Sequence, residues 1–395
     1  MKITVSSRGT VARKAKTMGI DTQIISNENT ESYTIGDTRL TLDAVRAATI
    51  KAAYTTRFVS AELNRNPQDF HIVASSTMVP RAGDVVIAKV TEIGKHTALQ
   101  SPHSRRQKLF VGQEVMVAYG DRYAPDQFLA HVPANLGPCQ LVAGGGVASL
   151  VEQQHASIDR ATELEPVGLL MRGGKAVTLR DFAPLSIENP SVNASAQDQG
   201  RRVPVIAVLG TSMNSGKSTT LGCLVNGLNN AGLRVAAGKA TGTGAGNDPN
   251  LFTDAGAFSV CDFTDFGYPT TYRLDYDTVR KLLVCMIQEQ TATGADAVII
   301  EIADGLFQGE TSRLLGDPIF KKHVDRVLFS AQDALGAKAG ERILLDAGLD
   351  LAAVSGVLTA SPLAAAEART HMESEIIDTF DLCDPQVASA LLPTR

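Results

Sequence analysis

The chain has 395 residues, 44% hydrophobic and 20% charged, with a net charge of -5: room for two or three domains and the make-up of an ordinary globular protein. The acidic balance gives no basic footprint for nucleic acid, no run reaches the ~18 apolar residues of a membrane span, and the N-terminal residues lack a signal-peptide core. Cys139, Cys223, Cys261, Cys285 and Cys383 form no C-x-x-C pair, which predicts reduced thiols in a cytoplasmic protein rather than disulfides or a zinc site.

Residues 1–78 read as an α+β segment. It opens on a short Ile/Val strand and carries a helix over 40–54, where Leu42, Val45, Ala48 and Ala52 fall at roughly helical spacing. From 79 to 185 the chain turns to short β-branched runs punctuated by Gly, Pro and Asp, the pattern of a small barrel or sandwich. Residues 186–202 are polar and small and read as a linker. Residues 203–395 alternate strands (203–209, 235–238, 297–301, 326–330, 353–358) with helices near 217–231, 275–293, 335–347 and 362–375. The fold class is therefore α/β: a mostly parallel, doubly wound sheet, preceded by a β-rich domain. Ligands of such a sheet sit at the C-terminal ends of its strands.

The first of those strand ends carries Gly210-Thr-Ser-Met-Asn-Ser-Gly-Lys-Ser-Thr219 between an apolar strand and an amphipathic helix. In that context a glycine-bounded loop and a helix N-terminus converge backbone N–H groups on phosphates. Gly210, Thr211, Asn214, Ser215, Gly216, Lys217, Ser218 and Thr219 are thus the candidate nucleotide ligands. Lys217 would serve the outer phosphates and the Ser218 hydroxyl Mg2+. Five residues separate the two glycines, one more than in the common loop.

Three further strand-end segments bear on the same place. Lys239 leads a glycine-rich stretch and suits a transferring phosphoryl group or an anionic substrate; its alternative is a surface lysine in a flexible loop. Asp254 is either a magnesium ligand or a helix cap. Glu301 ends the apolar run 297–300, and a carboxylate there is costly to bury unless paired or metal-bound.

These motifs together resemble the dethiobiotin synthetase group of P-loop proteins over about residues 203–375. The shared features are a five-residue gap in the loop, a Lys-x-x-x-Thr-Gly-like segment at 239–242, Thr253-Asp254-Ala255, and a Glu-led segment at 301–305. The resemblance implies ATP and Mg2+, with Ser218, Asp254 and Glu301 around the metal and Lys217 and Lys239 as catalytic groups on phosphate and substrate. The departures lie at the adenine-reading asparagine, replaced by Leu358-Thr-Ala-Ser361, and at Ile302 and Asp304, where the group has glycines. In arrangement, an N-terminal domain ahead of a P-loop, the chain is also similar to proteins of the domain-of-unknown-function 1611 type.

The leading expectation is an ATP- and Mg2+-dependent small-molecule enzyme, of ligase or kinase type, that phosphorylates or activates a carboxylate, carbamate or hydroxyl. Two alternatives stay open: a nucleotide-dependent switch or assembly factor, and an N-acyltransferase that uses the loop for the phosphates of coenzyme A. A homodimer also stays open; no nucleic acid or membrane partner is expected. The segment 262–271 has the length of a lid or of a packed surface loop, and Thr270, Thr271, Tyr272 and Arg273 could meet substrate. In the N-terminal half, 105–108 and 121–128 read first as solvated hairpins. Gly144-Gly-Gly146 lacks the strand–helix context that would make it a phosphate cradle.

Overall fold

The computed structural model describes residues 38–188 and 202–393. The expected strand near Ile3 and Val5 and most of the expected linker lie outside them. In the C-terminal half six strands, β1 (Val205–Gly210), β2 (Val235–Lys239), β3 (Ser259–Asp262), β4 (Ala297–Glu301), β5 (Arg326–Ser330) and β6 (Leu351–Ser355), form a wholly parallel sheet in the order β3-β2-β4-β1-β5-β6.

Strand alternation divides the core. Val205, Ala207 and Leu209 pack with helices Tyr276–Ala292 and Ala334–Asp346, whereas Ile206 and Val208 pack with helix Lys217–Asn230. A fully buried side chain of this size contributes about 1.5–3 kcal/mol, so helices on both faces are what a sheet apolar on both sides requires. The chain leaves β1 across β4 toward β2, and leaves β4 across β1 toward β5. Neighbouring strands that send their chains in opposite directions open a crevice at their C-terminal ends.

Several elements differ from the sequence reading, among them the helix expected over 362–375, which ends at Arg369. The last strand ends at Ser355 because Gly356, at φ 95°, breaks it, and Val357–Ala360 forms a 3-10 turn. The edge strand β3 and the helix Asn247–Asp254 before it are additional elements.

In the N-terminal half Val85–Glu92 pairs with Glu114–Tyr119 and with Thr162–Arg172. Glu114–Tyr119 runs parallel to Val147–Gln154, and Cys139–Ala143 joins that strand to Thr162–Arg172. Five strands thus close into a ring, and a closed barrel leaves no edge within the ring. Val86, Ala88, Val90, Val115, Val117, Leu141 and Leu164 fill it, while Val85, Ile87 and Met116 face outward onto a second layer.

That second layer comes from the segment expected to stand apart. Phe70–Ala74 pairs with Thr162–Arg172 and with Thr38–Thr41, so residues 38–74 belong to the barrel sheet. The helix expected over 40–54 shrinks to Ala44–Thr49, capped by the Asp43 carboxylate on the Arg46 amide at 2.7 Å. It stops at β-branched Thr49 and Ile50, and Lys51–Ala52 pairs in parallel with Val115 and Met116. Sheet pairing overrides the helical propensity of the alanines.

The two halves meet along 262–273, which is a packing surface rather than a free loop. Arg57 reaches Asp265 at 2.5 Å and Thr264 at 2.7 Å, and its guanidinium lies over the Tyr54 ring. The Tyr54 hydroxyl donates to Asp262 at 3.2 Å. Thr270 and Thr271 are buried, Tyr272 stacks against Tyr123 and His131 of the barrel side, and Arg273 bonds His131 Nδ1 at 2.9 Å.

Candidate functional site

The loop after β1 turns back on itself through Asn214 and Gly216, both left-handed at φ 63° and 95°. Gly210 has no room for a side chain, since a Cβ would overlap the Ser215 hydroxyl and the Lys217 stem. These constraints aim the loop and the first turn of the 14-residue helix Lys217–Asn230 at one point, the geometry of an anion cradle. The Lys217 ammonium donates to the carbonyls of Ser212 at 2.8 Å and Asp304 at 2.5 Å. Burial depresses its pKa, and Glu301 and Asp304 work against that shift.

Behind the loop the ends of β2 and β4 bring Lys239 and Glu301 together at 2.8 Å. Lys239 also bonds Asp248, in the first turn of helix Asn247–Asp254. Burial alone would lower the Lys239 ammonium, but Glu301 and Asp248 hold it above its usual range. Burial would raise Asp248, but Lys239 and the Ser218 hydroxyl hold it below. Glu301 is 1% exposed, and its second oxygen, Oε2, has no hydrogen-bond partner.

Asp254 does not join this group. It is the last residue of its helix and is exposed. The carboxylate beside Ser218 is Asp248, six residues earlier. A divalent cation fits the residues present: Ser218 and the free oxygen of Glu301 are oxygen donors at the cradle, and phosphates and water would complete the shell. Among the described residues no cluster of three or more His, Cys, Asp or Glu could hold a metal by itself.

The cradle opens into a cavity of about 720 Å3 whose far wall is the barrel. Lys95, His96, Gln100, Arg106, Arg122 and Asp126 line that wall, as do Gly144 and Gly145. Five cationic side chains (Lys95, Arg106, Arg122, Lys217, Lys239) face four carboxylates (Asp126, Asp248, Glu301, Asp304), too even a balance for a simple anion trap. Such a cavity suits a cation and an anion together.

Burial drives His96 down to about 4. It is therefore neutral at pH 7, and with Nε2 directed at the Val142 carbonyl (3.0 Å), Nδ1 is an acceptor. Burial likewise raises the Asp304 carboxyl, opposed by Lys217 and Lys239.

The hairpin at 121–128 is not a solvated tip. Asp126 accepts from Asn214 of the phosphate loop at 3.0 Å, and Arg122 is buried. Gly145 packs so closely on the Gly244 carbonyl that a Cβ would overlap it, so this glycine run serves the joint between the halves.

No family model matches the chain, and no curated protein matches it. Among solved structures it is similar to the signal recognition particle receptor FtsY from Elizabethkingia anophelis in complex with GDP, at 17% identity and TM-score 0.31, covering 53% of this chain and 69% of that one. It is also similar to the Signal Recognition Particle 54 kDa protein from Aeropyrum pernix K1 in complex with GDP, at 18% identity, TM-score 0.33, and 52% and 50% coverage. Chloroplast FtsY from Physcomitrella patens matches at 14% identity, TM-score 0.34, and 54% and 71% coverage. Likeness at these TM-scores carries no inference about what this chain binds or does.

Proposed function

We propose that this chain binds a nucleoside triphosphate with Mg2+ at residues 210–219 and acts on a small polar molecule held against the barrel wall. The observation that carries the reading is the cavity of about 720 Å3 that continues from the phosphate cradle to the buried Arg122 and other charged side chains of the barrel. A site for phosphates alone would need no such wall. The chemistry that suits it is phosphorylation or activation of a carboxylate, carbamate or hydroxyl, as the likeness to the dethiobiotin synthetase group also suggests.

Phosphoryl transfer needs positioning and charge neutralisation more than covalent help. Lys217 would exchange the carbonyls of Ser212 and Asp304 for outer phosphate oxygens. Ser218 and Glu301 would hold the magnesium, which when bound neutralises phosphate charge. Lys239, fixed by Glu301 and Asp248, would present its remaining donor to the group in transit. Neutral His96 can accept a proton or a hydrogen bond on the acceptor side.

A nucleotide-dependent switch is the second reading, favoured by the Asn214–Asp126 bond between loop and barrel. In that case occupancy of the cradle would alter the joint between the halves.

Calorimetric titration of wild type and Lys217→Ala with Mg-ATP, Mg-GTP and acetyl-coenzyme A tests the core of the proposal. We expect wild type to bind one of the triphosphates and the variant to lose at least tenfold in affinity. Binding of acetyl-coenzyme A alone would move the reading to acyl transfer, and binding of none would end it. Turnover that appears only with an added metabolite supports the enzyme; slow basal turnover raised by a protein supports the switch.

A further inference from the structure

We propose that Arg122 of the barrel is a ligand of the nucleotide's terminal phosphoryl group, so that the phosphate site is complete only with both halves in place. This rests on the nucleotide reading above. Arg122 opens the short strand Arg122–Tyr123, which pairs with Phe128–His131, and it is 6% exposed. Its guanidinium makes one side-chain hydrogen bond, to Gln127 at 3.1 Å, and the buried Nε has no partner. Among the described residues it forms no ion pair within 4.0 Å, although Asp304 and Asp126 are the carboxylates that act on it most.

A guanidinium taken out of water without a close ion pair is costly, and carboxylates beyond contact distance offset only part of that cost. Arg57 in the same joint shows the structural alternative, a close pair with Asp265. Arg122 lacks that pairing and lines the cavity that Lys217 and Ser218 also line.

Its place in that cavity is bracketed from two sides. Asp126, four residues along the same hairpin, accepts from Asn214 at the tip of the phosphate loop. Asp304, which contributes to the field on Arg122, gives its carbonyl to the Lys217 ammonium. Arg122 therefore faces the end of the cradle where an outer phosphate would sit. Its planar fork of donors matches a phosphoryl group in two-point contact. Lys95 and Arg106 line the same wall but are exposed, so water already satisfies them.

The test compares Mg-ADP with Mg-AMPPNP, and the guanine pair in parallel, by calorimetry on wild type, Arg122→Gln and Arg122→Lys. The expected result is diphosphate affinity within about threefold of wild type in all proteins. Triphosphate affinity should fall at least tenfold, about 1.4 kcal/mol, in Arg122→Gln and by less in Arg122→Lys. In wild type, hydrogen exchange across 121–131 should slow with AMPPNP and not with ADP, a readout that does not depend on any variant folding.

An unchanged triphosphate affinity, or equal loss for both nucleotides, would overturn the assignment. So would equal protection of 121–131 by both. If wild type binds nucleotide and Arg122→Gln behaves as wild type, this inference fails while the nucleotide reading stands; if wild type binds neither, both fall.

Discussion

On the cradle side of the cavity, charge is met mostly by main chain and by close pairs: the Lys239–Glu301–Asp248 group, and Lys217 on two carbonyls. On the barrel side, charge is carried by single side chains, Arg122 and Asp126 on one hairpin and Lys95 and Arg106 elsewhere in the barrel, none of them in a close ion pair among the described residues. The first wall holds its cations in close contacts, although Thr211 Oγ1, Ser215 Oγ and Glu301 Oε2 have no partner. The second holds its charges without such pairs, so what fills the space in front of it decides how they are met. In the proposed reading the contiguous cradle places the phosphates and the charges of the barrel wall select what they meet.

The sharpest way to break this contrast is to unpair the ion-paired wall. Lys239→Met leaves Glu301, 1% exposed, without its cation. Loss of one partner of a buried pair costs about 3–5 kcal/mol, and denaturant unfolding should show a loss of that order. Adding Glu301→Gln should restore most of it. A loss under about 1 kcal/mol in the single variant would mean that water reaches Glu301 and that the wall is not closed.

The joint between the walls offers a pH test. Burial, with help from Asp265 and against Arg57, raises Asp262 to about 6 from its usual 3.8. The Tyr54 hydroxyl, from the barrel side, and Thr264 also face it. The folded state then binds the proton more tightly, so this group's stabilisation is present below pH ~4 and is lost as pH rises through about 6. The difference between 3.8 and about 6 corresponds to about 3 kcal/mol. Relative to Asp262→Asn, wild type should lose stability across pH 4–6 and run parallel above it. Parallel curves throughout would show that Asp262 ionises freely and that the joint is wet.

How much of this was legible in the chain follows from the same contrast. The cradle side is local: 203–219 is one continuous string, so its strand, loop and helix could be read directly, as could Lys239 and Glu301 at their strand ends. Asp248 was not read because nothing in 247–254 announces that its helix begins beside Ser218. The Thr-Asp-Ala string instead drew attention to Asp254, one helix length away. Arg122 looked like a solvated hairpin residue because the groups that bury it, around 214 and 304, are far along the chain. The barrel's closure is similarly non-local. Period-two alternation marks 85–92 and 162–172 as strands but does not say that Cys139–Ala143 joins the ring.

Next in size is the fit between the walls. Gly145 leaves no space for a Cβ against the Gly244 carbonyl, and backbone cannot yield as a flexible side chain would. Overpacking of this kind costs about 1–3 kcal/mol, so Gly145→Ala should lower stability by about 2 kcal/mol and weaken whatever the cavity binds. If stability falls while binding is unchanged, the joint is structural and the barrel wall does not take part in the site.

The smallest expected effect is at the side-chain bond that, among the described residues, runs from the loop itself to the barrel. Asn214 sits at φ 63°, so Asn214→Gly removes its hydrogen bond to Asp126 while keeping a residue that tolerates the turn. Asn214 is exposed, and a bond open to water is worth about 0.5–1.5 kcal/mol; the loss in global stability should be below about 1 kcal/mol. The informative readout is local. If this bond holds the Arg122 hairpin against the cradle, hydrogen exchange across 121–131 should quicken while the loop's own helix, Lys217–Asn230, stays protected. Equal loosening of both would mean that the two walls open as one unit, and the distinction between an ion-paired cradle and a barrel wall of single charges would have to be given up.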